Sequence, residues 1–340
     1  MTALPFPERF ADEAALDEFL SRPGEAVIAD LARVPGDIVV LGVGGKMGPT
    51  LAQMAKRADP SRQVIGVARF SEPGVRAQLE AAGVACIAAD LLDRAAVAAL
   101  PDAPNVVFMA GSKFGSTGSE ALTWAMNVHV PALVAERYRG SRAVVFSTGC
   151  VYPFVDVNGA GADEATPPNP PPGEYANSCI GRERMFEFFG TAGRIFRLNY
   201  AIDMRYGVLH DIASKVFAGE PIELATGYAN VIWQGDACGL ALRCLARATA
   251  PLSPINISGR DRVSVRTLAT AFGRHFGKEP VLVGTEAPES WLVDTRHMVE
   301  LFGDPPVPLQ RMIEWTADWI GRGMPSLGKP THYEARDGTF

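Results

Sequence analysis

The feature that most constrains the fold of this chain is a glycine-rich turn between an apolar run and a helical pattern. Residues 37–45 read DIVVLGVGG, in which the branched apolar residues predict a buried strand. A helix is predicted over Pro49–Arg57, with its proline tolerated near the first turn. Gly42, Gly45 and Gly48 recur at every third position across the turn. Glycines so placed allow a tight turn and let a diphosphate approach the amides of a helix N-terminus, which predicts a dinucleotide site.

The glycine-rich turn has two other interpretations. A phosphate-binding loop of the ATPase type needs a lysine followed by serine or threonine, but here Lys46 is followed by Met47. That interpretation is therefore rejected. A tight turn with a purely structural role remains an alternative. With a strand before it and a helix after it, the turn favours the dinucleotide site, and Lys46 and Met47 are predicted to lie beside the cofactor.

Apolar runs and helical patterns alternate for about 150 residues of the chain. Such alternation predicts an α/β fold, a doubly wound parallel sheet of the Rossmann type. A stretch rich in proline and glycine then predicts a surface loop over 153–173, and a helix is expected from Tyr175 to Phe189. The further strands are predicted at 63–70, 84–90, 105–111, 143–149 and 194–200.

The chain is expected to contain more than this sheet. Residues 1–36 read as a helical extension, and 37–200 as the dinucleotide-binding domain. Elements become shorter and more mixed over 201–320, which predicts a smaller C-terminal substrate lobe. The tail 321–340 has no periodicity and is either an ordered arm or a disordered end.

Charge and cysteine content narrow the class of protein. The 32 basic and 38 acidic residues give a net charge of −6, which argues against a nucleic-acid binder. No apolar run approaches the roughly 18 residues that cross a bilayer, so no membrane partner is expected. The five cysteines and five histidines show no metal-ligand spacing, and no metal is expected. An odd number of cysteines without a leader-like start predicts a cytoplasmic protein.

The end of the second predicted strand bears on the choice of cofactor. Sites that prefer NAD usually place an acidic residue there, to accept from the ribose 2′-hydroxyl. This chain has Ala68 and Arg69 instead. A guanidinium can hold a 2′-phosphate through charge-assisted hydrogen bonds, so NADP is predicted, with NAD as the alternative. A solvated arginine at a strand end is the other interpretation of Arg69.

Together these residues resemble the extended short-chain dehydrogenase/reductase family, which contains NAD-dependent epimerases and dehydratases. The resemblance covers about residues 37–320. It implies that Asp90 and Leu91 bind the adenine end of the cofactor. It also implies that Ala110 to Lys113 lie beside the cofactor and that Asn127 is the asparagine of the following helix. The segment 147–152, STGCVY, is similar to the family segment that carries a catalytic hydroxyl, here on Thr148.

The resemblance breaks at a Tyr-x-x-x-Lys pair that performs proton transfer in this family. The pair lies on one helix face, and its lysine holds the nicotinamide ribose and lowers the tyrosine pKa. Tyr175 matches the tyrosine, with an ordinary half-buried helix tyrosine as the other interpretation, but Cys179 stands at the lysine position. Cys179 is interpreted as a small buried residue or, alternatively, a reactive thiol. Lys113, Arg182 and Arg184 are other cations near this segment, although none has the family spacing.

The substrate lobe is less informative. Asn199 falls one residue earlier than the family asparagine, and Arg205 is a candidate for binding an anionic substrate group or an ordinary solvated arginine. Residues 228–230 read YAN where sugar-nucleotide epimerases usually carry an arginine. The predicted partner is a small molecule, a sugar or related polyhydroxylated carbonyl compound. The predicted function is an NAD(P)-dependent oxidoreductase or epimerase, and the alternative is a non-catalytic dinucleotide-binding or sensor protein.

A homodimer is also expected from the resemblance. Members of the family commonly pair through two helices, which correspond here to 120–138 and 175–190. The second helix is unusually apolar for a surface helix, which favours a covered face. Its large apolar residues are Met185, Phe186, Phe188 and Phe189.

Overall fold

The computed structural model describes residues 6–113, 118–329 and 331–338. Parts of the predicted extension and tail, at 1–5, 330 and 339–340, therefore lie outside the described residues. Among the helices that the structure describes, none combines the length and the apolar character needed to cross a membrane.

Two short helices come first, and strands then alternate with helices along most of the chain. In the first 198 residues the elements are α1 (Glu13–Leu20), α2 (Glu25–Ala32), β1 (Ile38–Leu41), α3 (Gly48–Ala58), β2 (Val64–Ala68), α4 (Val75–Ala81), β3 (Ala85–Ala88), α5 (Arg94–Ala98), β4 (Asn105–Phe108), α6 (Glu120–Trp124), α7 (Val130–Arg137), β5 (Arg142–Thr148), β6 (Val155–Asp156), α8 (Glu174–Phe188) and β7 (Ala192–Leu198). A π-helical turn, Ala125–His129, joins α6 to α7.

The later elements are shorter. They are β8 (Ala201–Ile202), α9 (Val208–Ala218), β9 (Pro221–Glu223), β10 (Tyr228–Ala229), β11 (Ile232–Trp233), α10 (Gln234–Cys244), β12 (Ser253–Ile257), β13 (Val263–Ser264), α11 (Val265–Phe276), β14 (Val281–Val283), β15 (Glu289–Ser290), α12 (Arg296–Phe302) and α13 (Leu309–Gly321). Single 3₁₀ turns follow β5 and α10.

Seven strands form one parallel sheet in the order β12-β7-β5-β4-β1-β2-β3. β1 pairs with β2 on one side and β4 on the other, so the crossovers diverge at β1. In such sheets the loops on the two sides of this switch point leave a crevice at the carboxyl ends of the strands. The predicted doubly wound parallel sheet is confirmed, and its crevice lies where the glycine turn begins.

Both faces of the sheet are buried, which explains why its strands read as continuous apolar runs. Ile38 and Val40 of β1 pack in a cluster with residues of α2, α3 and α10. Val39 and Leu41 point the opposite way and pack with residues of α5, α7 and α8. Alternate side chains of one strand therefore belong to two separate cores, as the pleat of a strand requires.

A third core forms the smaller lobe. It combines α9, α11 and α13 with Leu16 and Leu20 of α1, so the N-terminal extension belongs to both halves of the molecule. Phe10 and Trp233 pack around Trp315, with ring centroids 5.0 and 5.4 Å from that of Trp315. Tyr333 from the C-terminal tail is buried in the same cluster.

The structure refines the predicted organisation in two places. β12 comes from the segment expected to form mainly the substrate lobe, yet it pairs with β7 at the edge of the main sheet. The described part of the tail is an ordered arm, because residues 331–338 pack on the lobe and bond to it. The domain boundaries at residues 36, 200 and 320 stay predictions.

Candidate functional site

Two adjoining cavities occupy the carboxyl edge of the sheet. The outer cavity has a volume of about 240 Å³ and lies against the ends of β2, β3 and β4. The inner cavity has a volume of about 540 Å³ and lies between the sheet and the smaller lobe. The glycine turn lines both, so one elongated ligand could occupy the two together.

The three glycines of the turn have different structural roles. Gly42 has a φ of +88°, and a Cβ there would lie 2.5 Å from the backbone nitrogen of Ala110. A Cβ on Gly48 would lie 2.2 Å from the carbonyl oxygen of Val43. A Cβ on Gly45 would meet nothing closer than a carbonyl oxygen at 3.5 Å. Gly42 and Gly48 are therefore required by the fold, whereas Gly45 leaves backbone open toward the cavities.

Lys46 and Met47, between Gly45 and Gly48, both line the inner cavity but make different contacts. The Nζ of Lys46 donates to the carbonyl oxygen of Ala201 at 3.0 Å and lies 4.0 Å from the ring centroid of Tyr206. Burial lowers the pKa of Lys46 to about 8. Met47 directly precedes α3 and packs against the sheet core. Lys46 thus joins the glycine turn to the smaller lobe.

The ends of β2 and β3 form the wall of the outer cavity. Arg69 is exposed there, and it forms no hydrogen bond or ion pair with the described part of the chain. Asp90 is also exposed, with Oδ1 accepting from the backbone of Leu92, while Leu91 is buried. Glu72 lines both cavities and was not predicted. Its signal in the sequence is weak, because it follows the strand end by several loop residues.

The loop after β4 is held in place by Asn127. Its Nδ2 donates to the carbonyl oxygen of Ser112 and to Ser178 Oγ, and its Oδ1 accepts from the backbone of Ser112. Ala110 lines the outer cavity and Lys113 the inner one. Asn127 is buried and lines neither, so it orders the loop beside the cavities instead of lining them.

Thr148 and Tyr175 come together at the inner cavity. Thr148 ends β5, and its hydroxyl accepts from the backbone of Cys150 at 3.1 Å. Tyr175 lies in the first turn of α8 and lines the same cavity. Burial raises the pKa of Tyr175 well above its usual value, and nearby Cys179 and Cys150 act in the same direction. The charge of Arg182 and a hydrogen bond with Thr148 lower it again in part.

Cys179 lies behind these residues. Its side chain is fully buried and packs in a cluster with Val151, Ala162 and Val293. Burial raises the pKa of its thiol to about 11, so the thiol is neutral near pH 7. It is not among the described residues that line the inner cavity. This placement fits the interpretation as a small buried residue and disfavours a direct role in the reaction.

Arg182, one turn beyond Cys179, is buried as well. Its guanidinium donates to Asn127 Oδ1 at 2.6 Å and to the carbonyl oxygen of Phe146 at 2.7 Å. A Cβ on Gly111 would lie 2.3 Å from it, so the glycine makes room for the arginine. Arg184, in contrast, is exposed and pairs with Glu187.

The two predicted substrate residues have different environments. Asn199 is buried, lines the inner cavity and donates to the carbonyl oxygen of Trp291 at 3.4 Å. Arg205 also lines this cavity, but its guanidinium pairs with three carboxylates. Their distances are 2.7 Å for Asp17, 3.2 Å for Glu13 and 3.3 Å for Asp203. Because these carboxylates already balance its charge, the prediction that Arg205 binds an anionic substrate group is disfavoured.

Several lining residues were missed by the sequence analysis. Tyr200, Asp203 and Tyr206 follow β7 closely, so a wider window after that strand could have found them. The arm contributes Leu327, Lys329 and Thr331 to the cavity wall, and its aperiodic sequence gives no signal for this. The N-terminal extension reaches the cavity through Asp17, again without a motif.

Comparisons with solved structures found the same fold in known enzymes. WbmG of Bordetella bronchiseptica, solved with NAD, has a TM-score of 0.73 and 18% identity over 87% of this chain and 97% of its own. The UDP-glucuronic acid 4-epimerase of Bacillus cereus, solved with NAD, has a TM-score of 0.69 and 18% identity over 84% of this chain and 99% of its own. The UDP-glucose 4-epimerase of Thermotoga maritima has a TM-score of 0.68 and 18% identity over 84% and 99%. At such low identity these likenesses show the fold alone.

A comparison with curated protein sequences found no match. A family model, in contrast, matches residues 38–210, which is just over half of the 340 residues. The match contains the glycine turn, the β5 segment with Thr148, and Tyr175. This chain therefore belongs to the NAD dependent epimerase/dehydratase family.

Proposed function

We propose that this chain is an enzyme that uses a nicotinamide dinucleotide to oxidise, reduce or epimerise a sugar or a related polyhydroxylated carbonyl compound. The observation that carries this proposal is that Thr148 and Tyr175 line one cavity with the glycine turn. The family membership supports it. So do the similar folds of WbmG and the two epimerases, which were solved with NAD or UDP-glucose.

The residues present fit such a cofactor. Gly45 leaves backbone accessible where α3 begins, and this is the arrangement that accepts a diphosphate. The outer cavity would take the adenine end, with Asp90, Leu91 and Ala110 in its wall. The inner cavity would take the nicotinamide end and the substrate. When bound, the nicotinamide supplies a site that accepts or returns a hydride.

The finer choice between the two dinucleotides rests on the outer cavity. Arg69 offers a charged donor with no competing partner among the described residues, which supports NADP. Glu72, also in the wall, is a carboxylate that could accept from a ribose hydroxyl, which supports the alternative NAD. We propose NADP, because Arg69 directly follows β2, where the 2′ position of the ribose is read in this fold.

In the proposed reaction the chain moves a proton at a substrate hydroxyl. The Tyr175 oxygen takes this proton when the substrate carbon is oxidised and returns it when the carbonyl is reduced. Thr148 orients the same oxygen through its hydroxyl. The surrounding walls exclude water, with Phe146 and Leu198 on the sheet side and Tyr200 on the lobe side. Asn199 is the proposed donor to another substrate oxygen.

Replacing Tyr175 by phenylalanine tests this proposal. The purified wild type and variants would be assayed on a panel of sugars, sugar acids and sugar nucleotides with both dinucleotides. Tyr175→Phe is expected to lower kcat by about 100-fold or more and to leave the cofactor Kd within about twofold. Tyr200→Phe, at a second tyrosine of the same cavity, is the matched control and should lose less than about tenfold. Full activity in Tyr175→Phe would overturn the assignment, and cofactor binding without turnover on any substrate would favour the sensor alternative.

We also propose that the protein is a homodimer. Leu122 and Trp124 of α6 and Phe188 of α8 are exposed, and Phe188 is 77% exposed. These residues lie on the two helices through which the resembled family pairs. Phe186 does not belong to this surface, because it is buried in the core beneath the sheet. A dimer by light scattering that is lost in Phe188→Glu is the expected result, and a wild-type monomer at micromolar concentration would contradict it.

We propose a cytoplasmic location from the state of the cysteines. All five are free thiols, and four of them are buried. Free thiols persist where the compartment is reducing.

A further inference from the structure

The proton-transfer step proposed for Tyr175 needs a nearby positive charge, and Cys179 cannot supply one. A neutral thiol in an apolar cluster leaves the phenolate of Tyr175 without the cation that the resembled family places four residues along the helix. A lysine at this position would also have to enter the packed cluster around Val151 and Val293. Another group must therefore stabilise the phenolate.

Lys113 is placed to do this. It follows β4, and its Nζ lies 5.9 Å from the ring centroid of Tyr175 on α8. Lys113, Tyr175 and Thr148 all line the cavity. The ammonium group therefore belongs to the wall of the cavity in which the substrate and the nicotinamide would bind.

The C-terminal arm holds the lysine in this position. Lys113 Nζ donates to the carbonyl oxygen of Thr331 at 3.3 Å. Thr331 is itself fixed, because its backbone nitrogen and its hydroxyl both donate to Asp211 Oδ2 on α9, at 2.8 and 2.5 Å. A flexible side chain therefore meets a fixed acceptor, which limits the positions of its ammonium.

Other charged and titratable groups surround Lys113 and Tyr175, and they belong to several neighbouring elements. Around Tyr175 they are Cys150 after β5 and Cys179 and Arg182 on α8. Burial lowers the pKa of Lys113, whereas Asp211 on α9 and the thiols of Cys150 and Cys179 raise it again in part. Lys46 of the glycine turn is another charged group near Lys113. Arg182 is a competing cation, because its charge also lowers the pKa of Tyr175. It is committed to Asn127 and Phe146, and it is not among the described residues that line the cavity.

We propose that Lys113 is the positioning residue for Tyr175, supplying from β4 the positive charge that the resembled family supplies from α8. The inference rests on the proposed function, in which Tyr175 exchanges the proton. Lys113 favours the phenolate by its charge and, through the Thr331 carbonyl, couples the C-terminal arm to the reacting oxygen.

A test that needs no substrate uses a fluorinated tyrosine in place of Tyr175. Its phenol ionises at a lower pH than tyrosine, and fluorine NMR follows this one residue. In Lys113→Met the midpoint of the titration should rise by about one pH unit, because a cation near the phenolate is lost. Lys113→Arg should keep the midpoint near that of the parent. Lys329→Met removes a lysine from the rim of the same cavity and is the matched control, with little expected change.

In the activity assay, Lys113→Met should move the rising limb of the pH–rate profile to higher pH by a similar amount. An unchanged midpoint in Lys113→Met, with the fold verified by circular dichroism, would overturn the inference. So would a shift produced by Arg182→Met and not by Lys113→Met. Because the NMR titration needs no turnover, its result is independent of whether Tyr175→Phe confirms the proposed function.

Discussion

The two cavities at the carboxyl edge of the sheet are built in different ways. The outer cavity is formed mainly by the segments that follow the neighbouring strands β1, β2, β3 and β4, and all of its lining residues lie between residues 42 and 126. The inner cavity combines the same turn with the ends of β5 and β7, the start of α8, the N-terminal extension and the C-terminal arm. The first is local in sequence, and the second depends on contacts between distant parts of the chain.

This difference has a physical consequence. The outer cavity needs only the parallel sheet and its turn residues, which the fold class already requires. The inner cavity needs both chain ends in place, since Asp17 pairs with Arg205 and Thr331 pairs with Asp211 and Lys113. Substitutions in the two cavities should therefore have separate effects on cofactor binding, on the stability of the fold and on turnover.

The largest expected effect is the difference between alanine substitutions at two glycines of the turn. Gly48→Ala places a Cβ 2.2 Å from a backbone oxygen, and we expect it to lower the free energy of unfolding by about 3 kcal/mol. Gly45→Ala meets nothing closer than 3.5 Å, so its stability should stay within about 1 kcal/mol of wild type. Its cofactor affinity should nevertheless fall by about 100-fold, because the methyl group covers the backbone that accepts the diphosphate. Urea unfolding and cofactor titration measure the two, and tight cofactor binding by Gly45→Ala would contradict the proposed site.

The second prediction concerns the arm, which touches only the inner cavity. Asp211→Ala removes both hydrogen bonds to Thr331 and should lower kcat/KM by about tenfold, with an unchanged cofactor Kd. Glu334→Gln is the control on the same arm, since its partly exposed pair with Lys215, at 3.5 Å, contributes little. An equal loss of cofactor affinity in Asp211→Ala would show that the cavities are not independent.

Much of the fold could be predicted because its signals are local. β1 is apolar along its whole length and β5 over its residues 143–146, since both faces of the sheet are covered, and this pattern is readable without any structure. The pairing of β12 with β7 in the main sheet could not be predicted, because the sequence of a short edge strand carries no signal for the strand that it pairs with. The dual packing of the N-terminal extension also depends on tertiary contacts of Leu16 and Leu31 with different cores.

The site divides in the same manner. Gly42, Thr148 and Tyr175 belong to motifs with fixed spacing, and the structure places them at the two cavities. The carboxylate partners of Arg205 could not be foreseen, because Asp17 is 188 residues away in sequence. The placement of Lys113 toward Tyr175 likewise depends on the packing of α8 against β5 and on the arm.

The third prediction concerns the choice between NADP and NAD at the outer cavity. Arg69→Ala should reduce NADP affinity by about tenfold and leave NAD affinity nearly unchanged, because only the 2′-phosphate needs the guanidinium. Glu72→Gln is the matched variant in the same wall and should instead weaken NAD. Isothermal titration with both dinucleotides measures this. Equal affinities of the wild type for the two dinucleotides, with no change in Arg69→Ala, would rule out the NADP assignment.

The smallest expected effect is a pH dependence at the junction of the two cavities. Lys46 has a pKa of about 8, lowered by burial, and the diphosphate of a bound dinucleotide should raise it by favouring the ammonium form. By linkage, cofactor affinity should fall about threefold to fivefold as pH rises through this value, since the free protein loses the proton first.

In the free protein the same shift has the opposite sign for stability. The unfolded chain binds more protons than the folded one between about pH 8 and 10.5, so the contribution of Lys46 to stability rises with pH there. Lys46→Met should flatten the affinity profile and remove this contribution. Arg69→Ala should keep the wild-type pH profile, because a guanidinium stays charged throughout this range. A flat wild-type profile would show that the ammonium of Lys46 faces the smaller lobe through Ala201 and Tyr206 without sensing the cofactor, and the junction would then belong to the substrate end alone.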